Sequence, residues 1–332
     1  MRKRIGWLSL FLLLVTGIVL SLVVGTIPLT VTDLLQAFQG TASPSRQLII
    51  FDFRFPRLLV SILAGMGLAV SGYIFQTITH NELADPGILG INAGAGLTVL
   101  IYLGFFATGE SRWYLPVIAC GGSFRATALV YYFGRQSERV TPNRLLLSGV
   151  AVNAGISALT VIGTIRVSKD NYQFVTAWLA GTIWGTTWHH VFLLLPWLII
   201  LIPLILLKGR SLEVLELGDD IAVGLGVKLK RTQLFFLVCG VCLAAVSVSV
   251  AGSISFIGLI APHIARQLTG RKNNQTLMMA ALIGGILLLF SDVLARVLLP
   301  NGEMAAGIIV SLIGAPYFII QLLKKSKQGE FR

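Results

Sequence analysis

Runs of about twenty apolar residues, parted by short polar connections, follow one another along nearly the whole sequence. A run of that length crosses a hydrocarbon layer as a helix, and an α-helix satisfies its own backbone hydrogen bonds there. We place ten spans, at 5–25, 58–79, 87–107, 113–133, 144–165, 190–207, 232–251, 254–268, 277–298 and 305–323. Only 12% of the 332 residues are charged, against roughly 25% in a soluble domain. The expected fold is all-α: one polytopic membrane domain, residues 1–332, of about ten transmembrane helices. The opening MRKR and the run after it resemble a signal peptide, but the run is 21 residues long and is read as a first spanning helix.

Charge separates the seventh span from the eighth, where the apolar run is nearly continuous. With ten spans and the first segment inside, the inner segments hold 18 Lys and Arg and the outer ones 7, with Arg125 inside a span. Fusing the two spans would make the balance 12 to 13, against the inner excess that membrane proteins show. Both termini are therefore expected in the cytoplasm. The net charge of +12 sits at the ends of apolar runs, so it sets topology and does not point to nucleic acid.

Catalytic and metal chemistry find little support. Cys120, Cys239 and Cys242 all lie in apolar segments, and the C-x-x-C formed by the last two has no second pair beside it. His80 and His263 are isolated, and His189 and His190 share a span edge. No phosphate-binding G-x-x-x-x-G-K-[ST] occurs, so any ATP would be bound by another chain; no catalytic residue, metal ligand or cofactor is assigned here. Trp178, Trp184 and Trp188, in the outer segment before the sixth span, read as markers of the headgroup interface. A further outer segment, after the first span, is expected to carry a short helix at 31–38.

Residues 208–231, KGRSLEVLELGDDIAVGLGVKLKR, form a long polar interruption between two apolar spans. They read as two short helices. The first begins near Ser211 and is stopped by Gly218 in a left-handed conformation; the second is capped by Asp219 or Asp220 and ends at Gly224 or Gly226. Leu212, Leu215, Ile221, Ala222 and Leu225 are expected on an apolar face, and the flanking Lys and Arg exclude lipid as its cover. Such a pair is either a loop packed on its own membrane domain or a docking knob for a soluble partner.

Four stretches together resemble one family: residues 81–97 (NELADPGILGINAGAGL), 212–227 (LEVLELGDDIAVGLGV), 252–266 (GSISFIGLIAPHIAR) and 312–318 (LIGAPYF). They are similar to the permease subunit of binding-protein-dependent ABC importers for iron–siderophores, haem and cobalamin. One departure is that Glu303-Met304-Ala305-Ala306-Gly307 stands where the family commonly has E-L-P-V-G. The resemblance implies the type II importer permease fold in a bacterial cell membrane. Its partners would be a second permease (the same chain or a paralogue), two cytoplasmic ATPases and an extracytoplasmic binding protein. The implied substrate is an iron–siderophore, with cobalamin or haem as the alternative. An ion-coupled secondary transporter, a further alternative, would place more ionisable groups at mid-membrane than Arg125 alone.

By the same resemblance, Asn81 and Leu83 in the inner connection NELADP narrow the cytoplasmic exit. Leu217, Gly218, Asp219, Asp220 and Gly226 seat in the ATPase. Arg54 and Arg57, which flank Pro56 in RFPR, and Arg296 meet acidic residues of the binding protein. The residues alone offer another account of these arginines: interface anchoring for Arg54 and Arg57, and an internal pair with Asp292 for Arg296. Arg125, about twelve residues into its span, is expected to face protein or water, with Asp292 a candidate partner.

Overall fold

The computed structural model describes residues 2–25, 27–106, 111–136, 139–140, 142–270, 273–298 and 304–329. It is a bundle of fifteen α-helices among the described residues: α1 (Arg2–Val23), α2 (Val31–Phe38), α3 (Pro44–Leu48), α4 (Phe55–Ile78), α5 (Ile91–Phe105), α6 (Leu115–Gly134), α7 (Pro142–Thr164), α8 (Lys169–Leu179), α9 (Trp188–Leu207), α10 (Gly209–Glu216), α11 (Asp219–Gly224), α12 (Leu229–Ala251), α13 (Ile257–Thr269), α14 (Asn273–Val297) and α15 (Ala306–Gly329). The one strand pairing described joins Arg135 to Val140 and Gln136 to Arg139.

Among the described residues, seven helical runs are long and apolar enough to cross a membrane: α1, α3–α4 through a π-helical turn at Ile49–Arg54, α7, α9, α12, α14 and α15. The other three expected spans fall on α5, α6 and α13. The first and last of these have only 15 and 13 residues, and α6 carries Arg125 at its middle. The break predicted from charge is present, since α12 stops at Ala251 and α13 starts at Ile257.

Helix α4 is the axis of the bundle. It packs against α14, α12, α13 and α9, and α5 packs against α6 and α7. Glycine makes the tightest crossings possible. A Cβ on Gly72 would lie 1.9 Å from the Gly258 carbonyl oxygen, and one on Gly65 would lie 2.3 Å from that of Gly284. In lipid there is no hydrophobic drive between helices, so such backbone approach supplies the packing energy. By contrast α7 and α15 are mostly exposed, with 17% of residues 144–164 and 28% of residues 306–324 buried. In the stretch that departs from E-L-P-V-G, Glu303 lies outside the described residues, and the Gly307 amide donates to the Gly181 carbonyl (2.8 Å) at the start of α15.

On the face where α1 ends, α2 begins with a capping box. The Thr30 amide donates to Asp33 Oδ2 (2.8 Å) and the Asp33 amide donates to Thr30 Oγ1 (3.2 Å). The Thr30 amide, then its hydroxyl, and to a lesser extent Arg46, hold the Asp33 carboxyl below its ordinary range. Of the three tryptophans, Trp184 is exposed as an interfacial residue would be. Trp178 is instead buried, because the 252–256 turn closes over it; its carbonyl accepts from the Ser253 amide at 3.2 Å. Trp188 donates Nε1 to the Phe51 carbonyl at 3.0 Å.

Candidate functional site

The polar segment between α9 and α12 folds as the expected helix pair. α10 starts at Gly209, two residues before Ser211, whose side chain caps nothing. Gly209 leaves room for the Asn274 side chain, whose Oδ1 would lie 1.9 Å from a Cβ at position 209. Gly218 separates the pair at φ +110° and ψ 153°. This is not the left-handed helical turn expected but the extended positive-φ region that is essentially restricted to glycine. Asp219 and Asp220 open α11, and Gly226 follows it at φ +81°.

The apolar face splits in two. Leu212, Leu215 and Ala222 are buried against the membrane domain, while Leu217, Ile221, Val223 and Leu225 are each more than half exposed. One side of the helix pair thus packs on the membrane domain, and the other presents an exposed apolar patch.

A polar network ties this knob to the end of α4. Glu216 Oε1 accepts from Tyr73 Oη (2.9 Å) and Thr77 Oγ1 (3.4 Å). Arg266 of α13 donates to Gln76 Oε1 (2.5 Å) and lies over the Tyr73 ring at 4.9 Å, while Gln76 Nε2 donates to the Gly258 carbonyl at 3.1 Å. Asp219 Oδ1 accepts from Gln233 Nε2 of α12 (3.0 Å) and meets His80 Nε2 at 3.3 Å. Gln76, Thr77, His80, Glu82, Glu216 and Arg266 line a polar cleft of about 150 Å³ at this junction. None of Tyr73, Gln76, Thr77, Glu216 and Arg266 was singled out from the sequence. A signal existed: Tyr73, Gln76, Thr77 and His80 recur at i, i+3, i+4 and i+7, a polar stripe at the end of an apolar helix.

The connection carrying Asn81 and Leu83 is not a tight turn at the surface. Asn81 Oδ1 accepts from the Leu83 amide (2.9 Å), and Asp85 Oδ2 accepts from the Gly87 amide (2.9 Å) to cap a 3₁₀ turn, Pro86–Leu89. A Cβ on Gly258 would lie 2.6 Å from Pro86 Cδ and 3.1 Å from the Leu68 carbonyl oxygen. Leu68 is about 15 Å back along α4 from Ile78, so residues 79–86 climb back alongside α4 into the bundle. This explains why α5 is short: it starts part-way across.

Arg54, Arg57 and Arg296 lie near the opposite end of α4, and the structure holds all three within the chain. Arg54 is buried and donates to the Leu22, Val23 (2.8 Å) and Ile27 carbonyls, and Arg296 donates to the Ser21 carbonyl (2.9 Å). Carbonyls at the end of α1, which lack partners within that helix, are thus capped by guanidinium groups from α4 and α14. Arg57 pairs with Asp292 through Nε (3.0 Å) and NH2 (2.9 Å), and Arg296 binds the same carboxylate. Each of the three arginines thus has partners within the chain. Asp292 is therefore already taken and does not serve Arg125. Arg125 is exposed on α6 beside Phe124 and Leu129, and among the described residues no hydrogen bond or ion pair holds it.

Comparison with known proteins places the whole arrangement. The model of the FecCD transport family matches residues 12–324. The chain is 40% identical over 320 residues to the iron(3+)-hydroxamate import system permease protein FhuG of Bacillus subtilis (strain 168), covering 95% of each chain. It is 36% identical over 322 residues to the ferric enterobactin transport system permease protein FepD of Escherichia coli (strain K12), covering 97% of this chain and 96% of that one. A solved structure of a metal-chelate type ABC transporter in an inward-facing conformation matches 97% of this chain and 99% of its own, with TM-score 0.84 and 29% identity. The helical bundle has the fold of an ABC importer permease, the match runs across nearly all of both partners in each case, and the chain belongs to the FecCD transport family.

Proposed function

We propose that this multi-pass membrane protein is the permease subunit of an ABC importer for iron(3+)–siderophore chelates. A binding protein outside the cell delivers the chelate, and two cytoplasmic ATPases, carried on separate chains, power its passage between two permeases. The observation that carries this reading is the knob. Leu217, Ile221, Val223 and Leu225 form an apolar patch facing away from the bundle, on a segment bounded by Lys208, Arg210, Lys228, Lys230 and Arg231. Basic residues favour the cytoplasmic side for that segment and for both termini, and an exposed apolar patch there suits the groove of a soluble domain. Its ties, from Glu216 to Tyr73 of α4 and from Asp219 to Gln233 of α12, make it a lever on these two helices. Leu217, Gly218, Asp219, Asp220 and Gly226 take the ATPase-coupling role, and Asn81 and Leu83 the gate. The mostly exposed α7 and α15 suit the contact between the two permeases.

The iron chelate is the substrate named for the two relatives above, which favours it over cobalamin or haem. The test is uptake into proteoliposomes holding the complete complex, supplied with a radiolabelled ferric hydroxamate, ferric catecholate, haem or cobalamin. ATP-dependent accumulation of a ferric siderophore, lost in Leu217→Asp with the ATPase no longer co-purifying, is the expected result. Accumulation of haem or cobalamin alone would replace the substrate, and an unaffected Leu217→Asp complex would remove the knob from the interface.

A further inference from the structure

Residues 79–90, the strap between α4 and α5, are held at both ends by other elements. At the near end His80 stands at φ +49°, a backbone position uncommon for a residue with a side chain, and its imidazole meets Asp219 on α11 at 3.3 Å. Where the knob goes, this end of the strap follows. At the far end Pro86 packs on Gly258, beside the Leu68 carbonyl and deep in the bundle.

Beyond Pro86 the strap is fastened to α7. Asn153 Nδ2 donates to the Gly87 carbonyl (3.0 Å) and to the Ile88 carbonyl (3.1 Å). One turn earlier, a Cβ on Gly149 would lie 2.2 Å from the Ile88 carbonyl oxygen, so α7 meets the strap backbone to backbone. The same amide leaves Asn153 Oδ1 buried with no hydrogen-bond partner among the described residues. A buried unpaired acceptor is a cost, and an apolar side chain would avoid it. The residue type therefore follows from the two bonds it donates and not from packing. These bonds matter to α7 more than they would to a buried helix, because most of its surface is exposed and, among the described residues, only α5, α6 and the 3₁₀ turn of the strap make extensive contact with it. Asp85, Asn92, Asn153, Ser157 and Thr160 border a polar cleft of about 440 Å³ where strap and α7 meet, so sliding one against the other reshapes that cleft.

We infer that Asn153 is a positioning residue that makes α7 follow the strap, so that the strap carries the movement of the ATPase-docking knob from His80 and Asp219 to α7. This rests on the importer reading above. Knob, strap and α7 then move as a chain of three, and the gate residues Asn81 and Leu83 lie on its middle link.

The experiment uses the complete permease–ATPase complex in liposomes. A spin label at Ala151, exposed on α7, reports the distance between the two permeases with and without ATP and vanadate. Ferric chelate delivered per ATP hydrolysed is measured in parallel. Asn153→Leu, close in size but unable to donate, should keep ATP hydrolysis stimulated by loaded binding protein while chelate delivered per ATP falls roughly tenfold. The nucleotide-dependent change at position 151 should vanish, and Asn153→Gln, which can still donate, should recover part of both. A purely structural role would lower protein yield and hydrolysis together and leave the stoichiometry alone. Unchanged stoichiometry in Asn153→Leu, or a label that still moves with nucleotide, overturns the inference. Asn153→Ala replaces Asn153→Leu if the latter does not assemble, with the same two criteria. If the unmodified complex delivers no chelate, it is the importer reading that fails, whereas a label that moves in the unmodified complex and not in Asn153→Leu still supports the linkage.

Discussion

Asp292 of α14 holds Arg57 of α4 through a two-nitrogen contact at 2.9 and 3.0 Å, and the same fully buried carboxylate binds Arg296 one turn along its own helix. Two cations and one anion share this place, and backbone carbonyls at the end of α1 help to hold Arg296. Deleting the anion leaves two guanidinium groups facing each other away from water. Asp292→Ala should cost about 3–5 kcal/mol, seen as a large fall in melting temperature of the detergent-purified permease. A melting temperature within a degree or two of the parent would mean that the carbonyls suffice.

The knob's grip on α4 runs through one carboxylate. Glu216→Leu removes the acceptor that Tyr73 and Thr77 use and should destabilise the permease by about 1–3 kcal/mol. Glu216→Gln keeps a carbonyl there and should lose much less. Hydrolysis per molecule of chelate delivered should rise in the leucine variant, and equal coupling in the two variants would assign the network to folding alone.

Gly72 and Gly258 bring α4 and α13 together along their backbones. Gly72→Ala puts a methyl 1.9 Å from a carbonyl oxygen, and no side chain can move to make room. Overpacking of this kind costs about 1–3 kcal/mol or more, so the folded yield should drop sharply while Gly121→Ala, which meets nothing within 4 Å, is tolerated. Comparing the two by size-exclusion profile checks it.

At Gly218 the space around the backbone is open, so alanine acts through conformation alone, while proline also removes the amide that donates to the Leu215 carbonyl at 3.1 Å. Gly218→Ala should cost about 1–3 kcal/mol of local strain, and Gly218→Pro, whose ring fixes φ near −65°, should re-aim α11 altogether. The membrane domain should stay folded in both while ATPase stimulation falls, more in the proline variant. Normal coupling in Gly218→Pro would show that the direction of α11 is not what the partner reads.

Arg125 sits exposed at the middle of α6, and a charge at that depth costs roughly 2.5–3.5 kcal/mol on insertion scales. Arg125→Leu should therefore fold at least as well as the parent in the isolated permease, by thermal melting in detergent. A lower melting temperature would reveal an intrachain role that its exposed position does not suggest. Normal folding with impaired uptake would assign it to a partner or to the pathway.

Much of the molecule was legible in the residues alone. Length and apolarity marked the helices, and charge placed the break between α12 and α13. The polar knob announced itself as a pair of short helices with glycine punctuation, and α2 lies where it was expected. Other expectations did not survive packing. A helix-period pattern says which residues share a face but not which neighbour takes it, so Leu212 and Leu215 turned inward while Ile221 and Leu225 turned out. Nor can spacing along the chain show that a connection doubles back, as residues 79–86 do beside α4.

What the sequence determined by itself was local: which segments prefer lipid, where charge breaks a long apolar run, and where glycine permits a turn or a close crossing. These depend on transfer energies and backbone sterics that each residue carries wherever it lies. Only the tertiary structure decided the pairings. It gave Asp292 to Arg57 and Arg296, set the guanidinium groups of Arg54 and Arg296 on the end of α1, joined Glu216 to Tyr73, and fastened the strap to Asn153. A charge or an amide specifies that it needs a partner, but several were on offer in the chain. Which one it meets is fixed by how ten or so helices stack at once, since every buried polar group must be satisfied in the same packing.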